Sequence, residues 1–162
     1  MTMKERLQGR FRKEEMVCML SQDPACFAET IEIALANHPL ISWRAAWVLY
    51  HTMQDGDARL QPFIPMLIEA IKGKSDGHQR EILRILEKFD IPEEHEGVLF
   101  DTCMNIWEQV GKIPSVRVFA FRIIFRIAKK YPELTNEIKY ITQPHYTETL
   151  SPGIRNSVER MI

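Results

Sequence analysis

The chain has 162 residues, 45% of them hydrophobic and 27% charged, a composition that fits one ordinary globular domain and excludes a disordered or collagen-like protein. Its 21 basic and 22 acidic residues leave a net charge of −1, so no global charge draws it to nucleic acid or to an anionic membrane. No apolar run approaches the roughly 18 residues of a membrane span, and the N-terminal stretch lacks the apolar core of a secretion signal.

The prolines divide the chain into helix-length pieces: Pro24, Pro39, Pro62, Pro92, Pro114, Pro132, Pro144 and Pro152 stand where a helix begins or has just ended. Between them apolar residues recur at spacings of three and four without sustained alternation, which predicts helices and no strands. Nine helices are expected, near 3–20, 24–37, 41–54, 61–73, 76–89, 94–111, 115–130, 132–143 and 153–162. Asp23 before Pro24 is an N-cap with proline at the first helical position, and Ser42, Asp76 and Ser115 are the expected caps of the third, fifth and seventh helices.

The apolar positions repeat. In the even-numbered helices they align as Phe27, Phe63, Leu99, Leu134, then Ile31, Leu67, Cys103, Ile138, then Ala34, Ala70, Ile106, Ile141, with successive offsets of 36, 36 and 35 residues. The odd-numbered helices repeat two apolar, one free and two apolar positions: Met16-Val17/Met19-Leu20, Ala46-Trp47/Leu49-Tyr50, Ile82-Leu83/Ile85-Leu86 and Ala120-Phe121/Ile123-Ile124. Val158, Met161 and Ile162 make an imperfect last copy. A period of this length carrying two helices is that of an α-solenoid, in which stacked hairpins bury faces that no hairpin could bury alone.

One stretch carries a family resemblance. Phe63-Ile64-Pro65-Met66-Leu67-Ile68-Glu69-Ala70-Ile71, a turn over 73–77, and Gln79-Arg80-Glu81-Ile82-Leu83-Arg84-Ile85-Leu86 resemble a HEAT repeat, whose first helix holds an internal proline and whose second opens with valine-arginine or similar. Val116-Arg117 gives that opening literally, and Trp43-Arg44 and Ile154-Arg155 approximate it. The resemblance implies an all-α fold, a right-handed α-α superhelix or HEAT-like solenoid, as one domain over 1–162 built from an N-terminal helix and four hairpins. The turn aspartate with which HEAT repeats pair their arginine column is missing, its places being taken by residues near His38, Lys74, Gly111 and Thr149. Arg117 and Arg155 also stand one residue out of register with Arg44 and Arg80 relative to the apolar columns.

Catalytic and metal-binding patterns are not found. The histidines at 38, 51, 78, 95 and 145 are scattered without zinc spacing. No Gly-rich phosphate loop or nucleophile elbow occurs, so neither catalytic residue nor metal site nor cofactor is assigned. Three cysteines, Cys18, Cys26 and Cys103, form no CxxC pair and read as reduced thiols of a cytoplasmic protein. Trp43, Trp47 and Trp107 invite comparison with the HEAT-like DNA alkylation-repair glycosylases, which hold a damaged base against tryptophans. Trp47 and Trp107, however, fall in or beside core columns, where an aromatic packs.

Charge is segregated. The odd-numbered helices hold 16 basic residues against seven acidic, a sum of +9, and the remainder sums to −10. The HEAT resemblance places these second helices on the concave face. Helix 115–130 contains no acid, and its Arg122, Arg126 and Lys129 form a stripe beside Val118 and Phe125. Two readings of that stripe follow: a binding surface, or pairing with Glu94, Glu96, Asp101 and Glu108 of the preceding helix. The first predicts a non-enzymatic protein-interaction scaffold that holds an acidic protein or peptide segment. Arg84, Arg122, Arg126 and Lys129 would meet carboxylates there, and Trp43, Val118 and Phe125 would supply apolar anchors. The alternative is a nucleic-acid-binding HEAT-like protein whose stripe tracks phosphates. No membrane partner is expected.

Overall fold

The chain begins with a capping box: the Thr2 hydroxyl accepts from the Glu5 amide at 3.2 Å, and the Glu5 carboxylate accepts from the Thr2 amide at 2.7 Å. This starts α1, Met3–Gln8. The computed structural model describes residues 1–162 and is helical without strands. The expected helix over 3–20 is two helices, with extended backbone at Gly9 and Arg12 before α2, Lys13–Gln22. Glycine weakens a helix interior, and the break is held from outside. The Arg44 guanidinium donates to the carbonyls of Leu7 at 2.6 Å and Gly9 at 3.0 Å.

Asp23 caps α3, Pro24–Leu35, as its sequence position requires, accepting from the Ala25 amide at 2.9 Å. α4 spans Ser42–Thr52, but Ser42 lies inside it and its hydroxyl accepts from the His38 amide at 2.9 Å. A 3-10 turn, Gln61–Phe63, leads into α5, Ile64–Ala70, and α6 spans Asp76–Glu87. Ser75, one residue before the expected Asp76, caps α6 through the His78 amide. Gly56 and Gly73 take positive φ, 65° and 72°, in the turns that follow α4 and α5, a conformation that glycine adopts without a Cβ penalty. α7, Glu93–Glu108, opens with three acids on its positive dipole end. Pro114 then stands at the first position of α8, Pro114–Ala128, after an Ile113 N-cap, so that Ser115, the cap the sequence predicts, lies inside the helix. A 3-10 turn, Pro132–Leu134, precedes α9, Thr135–Ile141; a further short helix, α10, Pro144–Thr147, precedes α11, Pro152–Met161. Eleven helices therefore replace the expected nine, through the break at Gly9 and the extra turn at Pro144.

The chain divides into two compact units, Met1–Asp90 and Ile91–Ile162. In the first, α3 packs on α4 and α5 on α6, with α1, α3 and α5 forming one layer and α2, α4 and α6 the other. In the second, α7 pairs with α8, against which α9 and α11 also pack. The column Ile31, Leu67, Cys103, Ile138 is buried throughout, and so are Ile82, Leu83, Ile85, Leu86, Ala120, Phe121, Ile123 and Ile124. Leu83→Ala in the first unit and Ile123→Ala in the second each remove a fully buried aliphatic group. Each should lower the urea unfolding free energy by about 2–5 kcal/mol.

Candidate functional site

The expected site residues fall into both units. Arg84 and Trp43 belong to the first. The Arg84 guanidinium lies 3.9 Å from the Tyr50 ring centroid and 3.0 Å from the buried Glu81 carboxylate, which Arg80 also meets at 3.1 Å. Its charge is thus held against an acid of its own helix. Trp43 is 36% exposed, with the Arg44 guanidinium 5.8 Å from its ring. On α8, in the second unit, Arg122 and Lys129 are exposed, and Val118, Phe125 and Arg126 are half-buried. Arg122 lies 5.5 Å from the Phe119 ring; Lys129 Nζ lies 4.7 Å from the Phe125 ring, which stacks on Phe121.

The second unit brings Phe125 and Lys129 to one cleft of about 320 Å³, shared with Ala128, Thr135, Ile138, Lys139 and Ile162. The sequence does not mark these last five as site residues. Ile138 belongs to an apolar column and so reads as core, while Lys139 lies in a helix whose class sums to negative charge. The pairing reading also has a member in the hairpin of α7 and α8. Lys130 Nζ donates to buried Glu96 at 2.6 Å and the Tyr131 hydroxyl donates to it at 2.7 Å. These bonds hold the Glu96 carboxyl below the usual carboxylate range, and the same carboxylate pushes the Tyr131 phenol up to about 12.

Other polar groups are absorbed by the fold. His78 is buried with Nε2 at 2.7 Å from the Ala34 carbonyl, and burial lowers its pKa, so it stands as a neutral imidazole donor. Cys103 is fully buried and burial pushes its thiol up, away from the nucleophilic thiolate. No three His, Cys, Asp or Glu side chains converge as metal ligands, and no helix is long and apolar enough to cross a membrane. Trp107 is fully buried with its Nε1–H donated to the Ile141 carbonyl at 2.9 Å, which leaves no ring face for a nucleobase.

Arg117 is the most buried cation, with no exposed surface. Its Nε donates to the Trp107 carbonyl at 2.9 Å, Nη2 to the Tyr146 carbonyl at 2.7 Å and Nη1 to Thr149 Oγ1 at 3.2 Å, over a Trp107 ring 4.5 Å away. Thr149 in turn donates to the Val110 carbonyl at 3.3 Å. Burial lowers the Arg117 pKa, but a guanidinium stays charged.

From residue 3 to residue 162 the chain matches the family model of the HEAT repeat domain. It belongs to the HEAT-repeat family. No curated protein and no solved structure compared with it matches. HEAT repeats generally mediate protein interaction, and this HEAT-repeat chain builds its arginine column in its own way. The Thr149 hydroxyl, near one of the places where the resemblance expects a turn aspartate, receives Arg117 together with two main-chain carbonyls. Arg117→Ala should therefore cost about 3–5 kcal/mol in urea denaturation, because buried acceptors lose their donor. Arg117→Lys should recover only part, since one ammonium cannot reproduce the fork; neutrality of both variants would refute the assignment.

Proposed function

We propose that this HEAT-repeat chain is a non-enzymatic interaction module of the cytosol that holds an acidic peptide or protein segment on the second-helix face of its second unit. One observation carries the reading. α8 contains no acid and presents exposed Arg122 and Lys129 beside half-buried Phe125, Arg126 and Val118. Guanidinium and ammonium groups would meet carboxylates, bidentate where arginine's planar fork permits, while the aromatic and aliphatic surface supplies burial that charge alone does not. Arg84, with its charge on Glu81, and Trp43 would be secondary contacts in the first unit.

The test uses Arg122→Glu combined with Lys129→Glu, since both side chains are exposed and their replacement should change stability by no more than about 0.5–1 kcal/mol. Fluorescence anisotropy is measured with a labelled Glu-rich peptide and with a generic DNA duplex, at low and at moderate salt. The wild type should bind the peptide, and the double variant should lose about tenfold or more in affinity. Preference for the duplex with a steep salt dependence, or an unchanged double variant, would overturn the reading.

A further inference from the structure

The cleft of the second unit lies between two similar faces, with Ile162, 60% exposed, as a further apolar wall. The end of α8 and its C-cap contribute Phe125, Ala128 and Lys129, and α9 contributes Thr135, Ile138 and Lys139. Each set stands at i, i+3 and i+4, the spacing that places three side chains on one side of a helix. The middle members are Ala128, 8% exposed, and Ile138, 6% exposed. Together with the side of the Phe125 ring they make an apolar floor, and the methyl of Ala128, where a leucine would reach across, leaves that floor open. The last member of each set is an exposed lysine, so both ammonium groups stand in the same register at the rim. Glu137, the acid of α9, lies about 160° around the helix from positions 135 and 139 and about 100° from position 138, off the face that lines the cleft.

The volume, about 320 Å³, is at the small end of the roughly 300–1,000 Å³ of ligand pockets, which suits a single large side chain better than a cofactor. An apolar floor between two cationic rims complements an apolar side chain flanked by carboxylates. We infer that this cleft is the specificity pocket for the acidic segment and takes one aromatic side chain of it, with Lys129 and Lys139 meeting the acids on either side. The inference rests on the acidic-segment reading and adds the aromatic residue to it.

The experiment uses the full chain and three labelled peptides of equal length: one with a central Trp between Glu residues, one with Ala in place of the Trp, and one with the Trp between Lys residues. The wild type should bind the Trp/Glu peptide about tenfold or more tightly than the Ala/Glu peptide, as burial of an aromatic ring requires. Ala128→Leu, which fills the floor, should abolish that difference while leaving the affinity for the Ala/Glu peptide unchanged. Lys139→Glu should weaken both Glu-containing peptides, whereas Lys4→Glu, an exposed change on α1, should weaken neither. If Ala128→Leu lowers the helical circular dichroism, Thr135→Phe fills the cleft from its exposed rim and carries the same expectation. Equal binding of the Trp/Glu and Ala/Glu peptides, or a preference that survives both cleft-filling variants, would overturn the pocket and leave the acidic-segment reading standing. Binding of the Lys-containing peptide alone, or of none, would overturn both. Self-association of the wild type that Ala128→Leu removes would assign the cleft to a second copy of the chain and overturn the inference as well.

Discussion

A guanidinium with no exposed surface must replace within the protein the hydrogen bonds it has lost from water, and in this chain each of the three Arg117 nitrogens donates to a main-chain carbonyl or a hydroxyl rather than to a carboxylate. Two of its acceptors, Trp107 and Tyr146, lie in the last turns of α7 and α10, where the final carbonyls have no helical donor and carry the negative end of the helix dipole. One side chain thus fixes the ends of two helices against a third. The same solution recurs at other repeats. Arg44 serves the end of α1, Lys88 Nζ donates to the Tyr50 carbonyl at 3.0 Å and the Met53 carbonyl at 3.3 Å at the end of α4, and Arg155 Nη2 donates to the Glu148 carbonyl at 2.9 Å after α10. A family that commonly sets an aspartate opposite its arginine has here a cation set opposite helix ends, which explains how the chain keeps the column without the acid.

This arrangement shapes what is left for recognition. Arg44, Arg80, Lys88, Arg117, Lys130 and Arg155 all sit on second helices or at their ends, and each is turned onto the protein's own carbonyls or carboxylates. The positive sum of those helices is therefore in large part structural. The surface on which the proposed reading rests is narrower, namely exposed Arg122 and Lys129 with the aromatic surface around Phe125, and Lys139 of α9 lines the neighbouring cleft.

The apolar columns were legible because burial of a helix stripe imposes a period, and every member of the column from Ile31 to Ile138 is buried as that period requires. Features set by distant partners were not legible. Gly9 weakens a helix but does not by itself place the break between α1 and α2; the guanidinium that holds it comes from residue 44. Thr149 as an acceptor for Arg117, and the short contact of Lys130 to Glu96, depend on three-dimensional reach. Phe125 could be picked out because it falls outside the regular apolar columns of α8, and Lys129 because it continues the basic stripe of Arg122 and Arg126. Ala128 and Ile138 could not, since a residue that floors a cleft and a residue in a core have the same hydropathy and the same spacing.

The Nε–H proton of Arg117 reports directly on whether main-chain carbonyls hold this cation. In a nitrogen-resolved proton NMR spectrum, with Arg117→Lys used to assign the resonance, its exchange with solvent should be at least about a hundredfold slower than that of exposed Arg122, because it opens only with the surrounding structure. Exchange as fast as that of Arg122 would contradict the account, for it would mean that the guanidinium is solvated and the helix ends are joined by something else.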